Sequence, residues 1–141
     1  MSNLASLSNN LLHSKTIQSA ANEKAATLVL LEHLAEIDRR RLYAIKGYSS
    51  LWEYIHKVLG YSEAQTSERV SAVRIMVKIP EVKRELAAGH LTLTSTAKLG
   101  AHARRENLAA QETVSLLHQV LGKSAREVER VLLTSLAGSN P

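Results

Sequence analysis

Histidine is the side chain best suited to ligating a metal or moving a proton near neutral pH, and this chain carries six, with no cysteine. Their spacing does not build a site. There is no His-Glu-x-x-His pattern and no histidine pair at metal-ligand spacing. His33, beside Glu32 and one turn from Glu36, gives the one weak hint of a ligand group, and a surface histidine on a charged helix is the better reading. The single aspartate, Asp38, excludes the aspartate clusters that hold metal in nucleases and phosphoryl-transfer enzymes. No serine stands in a nucleophile-elbow glycine context, and no glycine-rich phosphate loop occurs. The expectation is a chain without catalytic residues, metal or cofactor.

Binding chemistry is better represented. Gly60-Tyr61-Ser62 has the three parts of a helix-turn-helix corner: a glycine that lets the chain reverse, an apolar residue after it, and a hydroxyl that caps the second helix. On that reading Gln65 and Ser67 face a DNA groove, while Arg69, Arg74 and Lys78 contact phosphates. Two positions depart from the pattern. His56 stands where a small residue normally allows close helix contact, and Thr66 where an aliphatic residue normally enters the core. Glu63 and Glu68 also dilute the positive charge, so an ordinary capped helical hairpin fits the same residues. Trp52, with Tyr48, Tyr54 and Tyr61, forms either a stacking platform for bases or the bulky part of a core with no phenylalanine; the core is the simpler reading.

The elements that would position these residues are all helices. Thr27 to Leu31 with Leu34, Ile37, Leu42 and Ile45 lay apolar positions on more than one side of a long helix, from about Lys15 or Asn22 to Lys46, stopped by Gly47. Asp38 lies on that apolar track, which predicts an ion pair with Arg39 or Arg41. Ser50 with Glu53, Ser62 with Gln65 and Ser124 with Glu127 read as capping boxes. They start helices at Leu51, at Glu63 running to Lys78, and at Ala125 running to Ala137. Pro80 opens a short helix that Gly89 closes. Leu91 to Thr94 reads as an extended linker, with Thr94 capping a helix to about Arg105, and a further helix spans about Ala109 to Leu121. The fold class is all-α, a multi-helix single domain containing a helix-turn-helix-like hairpin.

Length and composition agree with that class. A chain of 141 residues with 45% hydrophobic content supports one core. Residues 1–21 read as a flexible or marginally helical arm, 22–137 as the helical domain and 138–141 as a disordered tail. Eighteen Lys and Arg against 13 Asp and Glu give a formal charge of +5, which favours polyanionic partners. No signal-peptide pattern and no membrane-spanning apolar run is present, and the lack of cysteine fits a cytoplasmic protein.

The order of several short motifs carries a resemblance. Asp38-Arg39-Arg40-Arg41-Leu42-Tyr43, Gly47-Tyr48-Ser49-Ser50-Leu51-Trp52-Glu53-Tyr54, Leu59-Gly60-Tyr61-Ser62-Glu63-Ala64, Gly89-His90-Leu91-Thr92-Leu93 and Gly122-Lys123-Ser124-Ala125-Arg126-Glu127 follow one another in an order similar to the helical N-terminal region of bacterial HNH-endonuclease proteins. The resemblance spans roughly Leu28 to Leu133 and implies a helical, DNA-associated domain. In that family the region precedes a histidine-rich, metal-binding nuclease motif, of which this sequence has none. It therefore transfers no catalytic residue. Ser67, Glu68 and Arg69 stand where the family pattern places an aromatic residue and two arginines. The resulting expectation is a non-catalytic DNA-binding or regulatory protein, with a protein-interaction or oligomerisation module as the alternative.

Overall fold

Capping chemistry sets where most helices begin. A computed structural model describes residues 3–138, and among them it contains eight α-helices, one short 3-10 turn at Leu4–Ser6 and no strand. In chain order these are α1 Asn9–Arg40, α2 Leu42–Ile45, α3 Leu51–Leu59, α4 Glu63–Lys78, α5 Pro80–Ala87, α6 Leu93–Arg105, α7 Ala110–Val120 and α8 Ala125–Gly138. The Ser62–Gln65 and Ser124–Glu127 boxes are reciprocal. Each hydroxyl accepts from the N-H three residues on, and each returning side chain accepts from the cap N-H, at 3.1–3.2 Å. Ser50 makes only half a box. Its hydroxyl accepts from Glu53 N at 3.0 Å, but the Glu53 carboxylate reaches past it to the amide and hydroxyl of Ser49. Those bonds hold the Glu53 carboxyl below its ordinary pKa, the Ser49 hydroxyl first.

Three boundaries differ from the sequence expectation. The long helix begins at Asn9, because the Ser8 hydroxyl caps it by accepting from Leu11 N at 3.2 Å. It ends at Arg40, where Arg41 takes the left-handed conformation at φ 52° before a single further turn, α2. Tyr43 packs against the core just beyond this break, and its burial offsets the ~1–2 kcal/mol cost of a left-handed non-glycine residue. Gly47, also left-handed at φ 92°, ends the second turn rather than the long helix. The third difference is at α6. Thr92, not Thr94, is the cap, its hydroxyl accepting from Ser95 N at 3.0 Å, so Leu93 and Thr94 are helical. The tail expected over residues 138–141 lies outside the described residues after Gly138.

The expected Asp38 ion pair also moves. Arg39 and Arg40 both pair with Glu36, at 2.5 and 2.6 Å, because positions three and four apart share a helix face. Arg41 falls off that face when it turns left-handed, and among the described residues Asp38 has no ion pair. The two guanidiniums hold the exposed Glu36 carboxyl down at about 2, mainly through the hydrogen bonds from Arg39 and then Arg40.

Helix α4 is the hub of the domain, packing against α1, α3 and α5 and most extensively against α6. Its inner face places Val70, Val73, Ile75 and Met76 in a core shared with Leu31 and Leu34 of α1, Leu51 and Ile55 of α3, and Leu99 of α6. Removing such aliphatic side chains from water is worth roughly 1.5–3 kcal/mol each. Farther along, Leu116, Leu117 and Val120 of α7 meet Val128 and Leu132 of α8. The first half of α1 is different: every residue from Asn9 to Ala26 is exposed. The 32-residue helix, about 48 Å long at 1.5 Å per residue, is anchored only by its second half.

Candidate nucleic-acid interface

The two residues that depart from the helix-turn-helix pattern turn out to hold the α3–α4 turn. Gly60 reverses the chain at φ 77°. His56 Nδ1 then donates to the Tyr61 carbonyl at 2.7 Å, which assigns the ring proton to that nitrogen because a carbonyl only accepts. The fully buried Thr66 donates a longer bond to the same carbonyl, at 3.4 Å. A small residue at position 56 and an aliphatic one at 66 would leave that oxygen without either donor. Trp52 lies against His56 with the rings tilted by 37° and their centroids 4.9 Å apart, and Tyr48 meets Tyr54 edge-on at 5.9 Å. These rings, with Tyr61, are half-buried, and Trp52, Tyr54 and Tyr61 pack against the core.

This turn occupies three of the five side chains expected to face DNA. Gln65 is exposed, but its amide oxygen accepts from Ser62 N in the capping box. The Ser67 hydroxyl accepts from the Trp52 indole N-H at 3.0 Å. Arg69 lies over the Tyr61 ring, 4.0 Å from its centroid, donates to the Gln65 carbonyl at 3.1 Å, and leaves only 15% of its side chain exposed. Arg69 is thus part of the turn.

Arg74 and Lys78 have a different setting. Both are exposed on the C-terminal half of α4, one turn apart, and border a groove of about 260 Å³ where α4 crosses α6. The far wall brings in Arg104 from the end of α6 and Asn107 from the bend after it, and among the described residues no carboxylate lines the groove. The helices approach closely because Gly100 has no side chain: a Cβ there would lie 2.7 Å from the Ser71 carbonyl oxygen and 3.2 Å from Ile75 Cγ2. Lys78 Nζ also donates to the Leu108 carbonyl at 3.0 Å, which ties its ammonium to the bend after α6. Asn107 makes that bend at φ 50°, in the left-handed region that asparagine tolerates better than most residues. Arg104 was not among the expected contacts. Its only sequence signal was a basic pair, Arg104-Arg105, at a helix end, where cations also serve to complement the helix dipole.

The remaining titratable groups form no second centre. His33 Nδ1 bonds the Val29 carbonyl at 2.7 Å, Glu32 pairs with Lys83 at 3.0 Å, and Glu36 is taken by its two arginines. Among the described residues no three His, Asp or Glu side chains converge on a metal position. His102 is 2% exposed within α6, and burial pushes its imidazole below the ordinary histidine range. Among the described residues no helix is long and apolar enough to cross a membrane. No family model, curated protein or solved structure matches the chain.

Proposed function

We propose that the protein is a non-catalytic DNA-binding accessory or regulatory protein whose α3–α4 hairpin contacts the nucleic acid from the C-terminal half of α4. The observation that carries this reading is the groove at the α4–α6 crossing, where Arg74, Lys78 and Arg104 converge without a carboxylate. Three cations on one concave strip suit successive backbone phosphates, since phosphate contact needs charge and reach more than base-specific geometry. The formal charge of +5 and the motif order similar to the helical region of HNH-endonuclease proteins support the same reading. A salt titration of duplex binding tests the proposal. Affinity should fall linearly in log-log form as salt rises, and a folded protein with no salt-sensitive binding overturns it.

One observation favours a second reading. The helical segment from Asn9 to Ala26 is exposed along its whole length. A protein-interaction or oligomerisation role would give it a partner. Sedimentation of the purified chain separates the two readings: self-association without DNA binding supports the second.

A further inference from the structure

A second cleft lies away from the basic groove. It is a space of about 420 Å³ beneath the point where α1 leaves the body, between α1, α4 and the corner joining α5 to α6. That size is within the usual range for small-molecule sites. Five leucines line it, Leu28 and Leu31 of α1, Leu86 of α5, and Leu91 and Leu93 at the start of α6, interspersed with Thr27, Thr92 and Thr94. Arg69 enters this lining from α4, while Glu23 and Lys24 stand together on α1 with opposite charges.

The state of the Arg69 guanidinium indicates what the cleft can hold. Arg69 Nη1 donates to the Gln65 carbonyl, and its nearest carboxylate, Glu68, is 4.0 Å from that same nitrogen, beyond hydrogen-bond reach. Glu68 instead accepts from the Thr94 hydroxyl at 3.1 Å. Arg69 Nε is buried without a partner, and among the described residues Nη2 makes no hydrogen bond. Nε and Nη2 form the edge of the guanidinium that grips a carboxylate with two parallel bonds. Arg39 uses that edge on Glu36 in this same protein, through Nε at 3.0 Å and Nη2 at 2.5 Å. In Arg69 that edge has no hydrogen-bond partner among the described residues and Nε is closed to solvent, while the Tyr61 ring and the Gln65 carbonyl hold the rest of the group. An unsatisfied buried donor is a standing cost, and an acceptor that reached it would relieve it. The first turn of α6, Thr92 to Thr94, borders the cleft and adds the positive end of a helix dipole.

We propose that this cleft binds a medium-chain carboxylate, with the head group in the fork of Arg69 and the chain along Leu28, Leu31, Leu86 and Leu93. An entering head group bonds Nη2, and a turn of the guanidinium that uncovers Nε completes the pair of bonds. The site is separate from the basic groove, and the proposal does not depend on DNA binding. Because Arg69 rests on Tyr61, and Trp52 bonds Ser67 two residues before Arg69 on α4, occupancy should also change the emission of the single tryptophan.

Decanoate below its micellar concentration is the probe, with decanol as the same chain lacking charge and acetate as the same head lacking a chain. Calorimetry on the full chain should show saturable decanoate binding, at least tenfold tighter than either control. Arg69→Lys keeps a cation but loses the fork, and should weaken decanoate at least tenfold with helicity unchanged. Leu28→Trp fills the cleft and should abolish binding. Decanoate binding no tighter than decanol, or binding that survives Leu28→Trp, overturns the proposal. Should Arg69→Lys fail to fold, the Leu28→Trp variant and the two control ligands decide the matter.

Discussion

The two ends of α4 use polar side chains in opposite ways. At the N-terminal end Gln65, Ser67 and Arg69 serve the α3–α4 turn: one completes a capping box, one accepts the Trp52 indole, and one lies on Tyr61. At the C-terminal end Arg74 stays at the surface, and Lys78 spends one bond on the Leu108 carbonyl while both face a groove with Arg104. Arg69 is fixed by the Tyr61 ring and the Gln65 carbonyl, and Lys78 partly by the Leu108 carbonyl, but the charges of Arg74, Lys78 and Arg104 find no carboxylate among the described lining of the groove and take their counter-charge from solvent or a partner. Charge counted along the sequence does not separate these cases.

The most severe way to break this contrast is to push α4 away from α6. Gly100→Val puts a branched side chain where even a Cβ meets the Ser71 carbonyl at 2.7 Å. We expect a loss of about 1–3 kcal/mol in denaturant unfolding, together with loss of the groove. An unchanged midpoint would show that the crossing is looser than the structure indicates.

The next test compares the ends directly. Arg74→Ala, Lys78→Ala and Arg104→Ala should each reduce the salt slope of duplex binding by about one unit, and the triple variant by about three. Gln65→Ala and Ser67→Ala should leave that slope unchanged. Equal slope losses from both ends would erase the distinction drawn here, so helicity must be measured for every variant.

The turn itself offers a smaller effect. His56→Ala removes the short bond to the Tyr61 carbonyl and the ring contact with Trp52, and should cost about 1 kcal/mol without altering the salt slope. Thr66→Val, which deletes only the longer bond, should cost less. A larger loss from Thr66→Val would invert this ranking of the two donors.

Acid sensitivity should be the mildest signal at moderate pH. Burial lowers the His102 pKa below 6.5, so as pH falls the unfolded chain takes up that proton first. Stability should be level above about pH 7 and decline as pH drops through 6.5 toward the folded-state value. His102→Leu should flatten this window. The carboxylates of Glu36, Glu53, Glu127 and Glu129 are shifted the same way from 4.5, by bonds to arginine, serine and lysine, so their contributions are lost only at lower pH. Thermal melts from pH 8 to about 3 separate the two windows.

What the sequence determined by itself is the all-helical class and most helix starts, because those depend on partners three or four residues away. Ser62 with Gln65, Ser124 with Glu127, Pro80 and Gly60 each act within one turn of chain, and the helices begin or end where such residues stand. Even locally some detail was lost. Thr92 and Thr94 are both competent caps, and the choice went to the residue that left Thr94 free for Glu68, twenty-six positions away. Arg41 breaks the long helix ahead of the more obvious Gly47, where Tyr43 enters the core. Only the tertiary structure decided the rest. Gly100 admits α4 against α6, and this crossing joins Arg104 to Arg74 and Lys78, about thirty residues back along the chain. The helical period states which residues share a face, but it carries no information about which other helix that face will meet. Meeting partners are chosen by the packing of the whole core, and that choice distinguishes the arginine resting on Tyr61 from those left facing the groove.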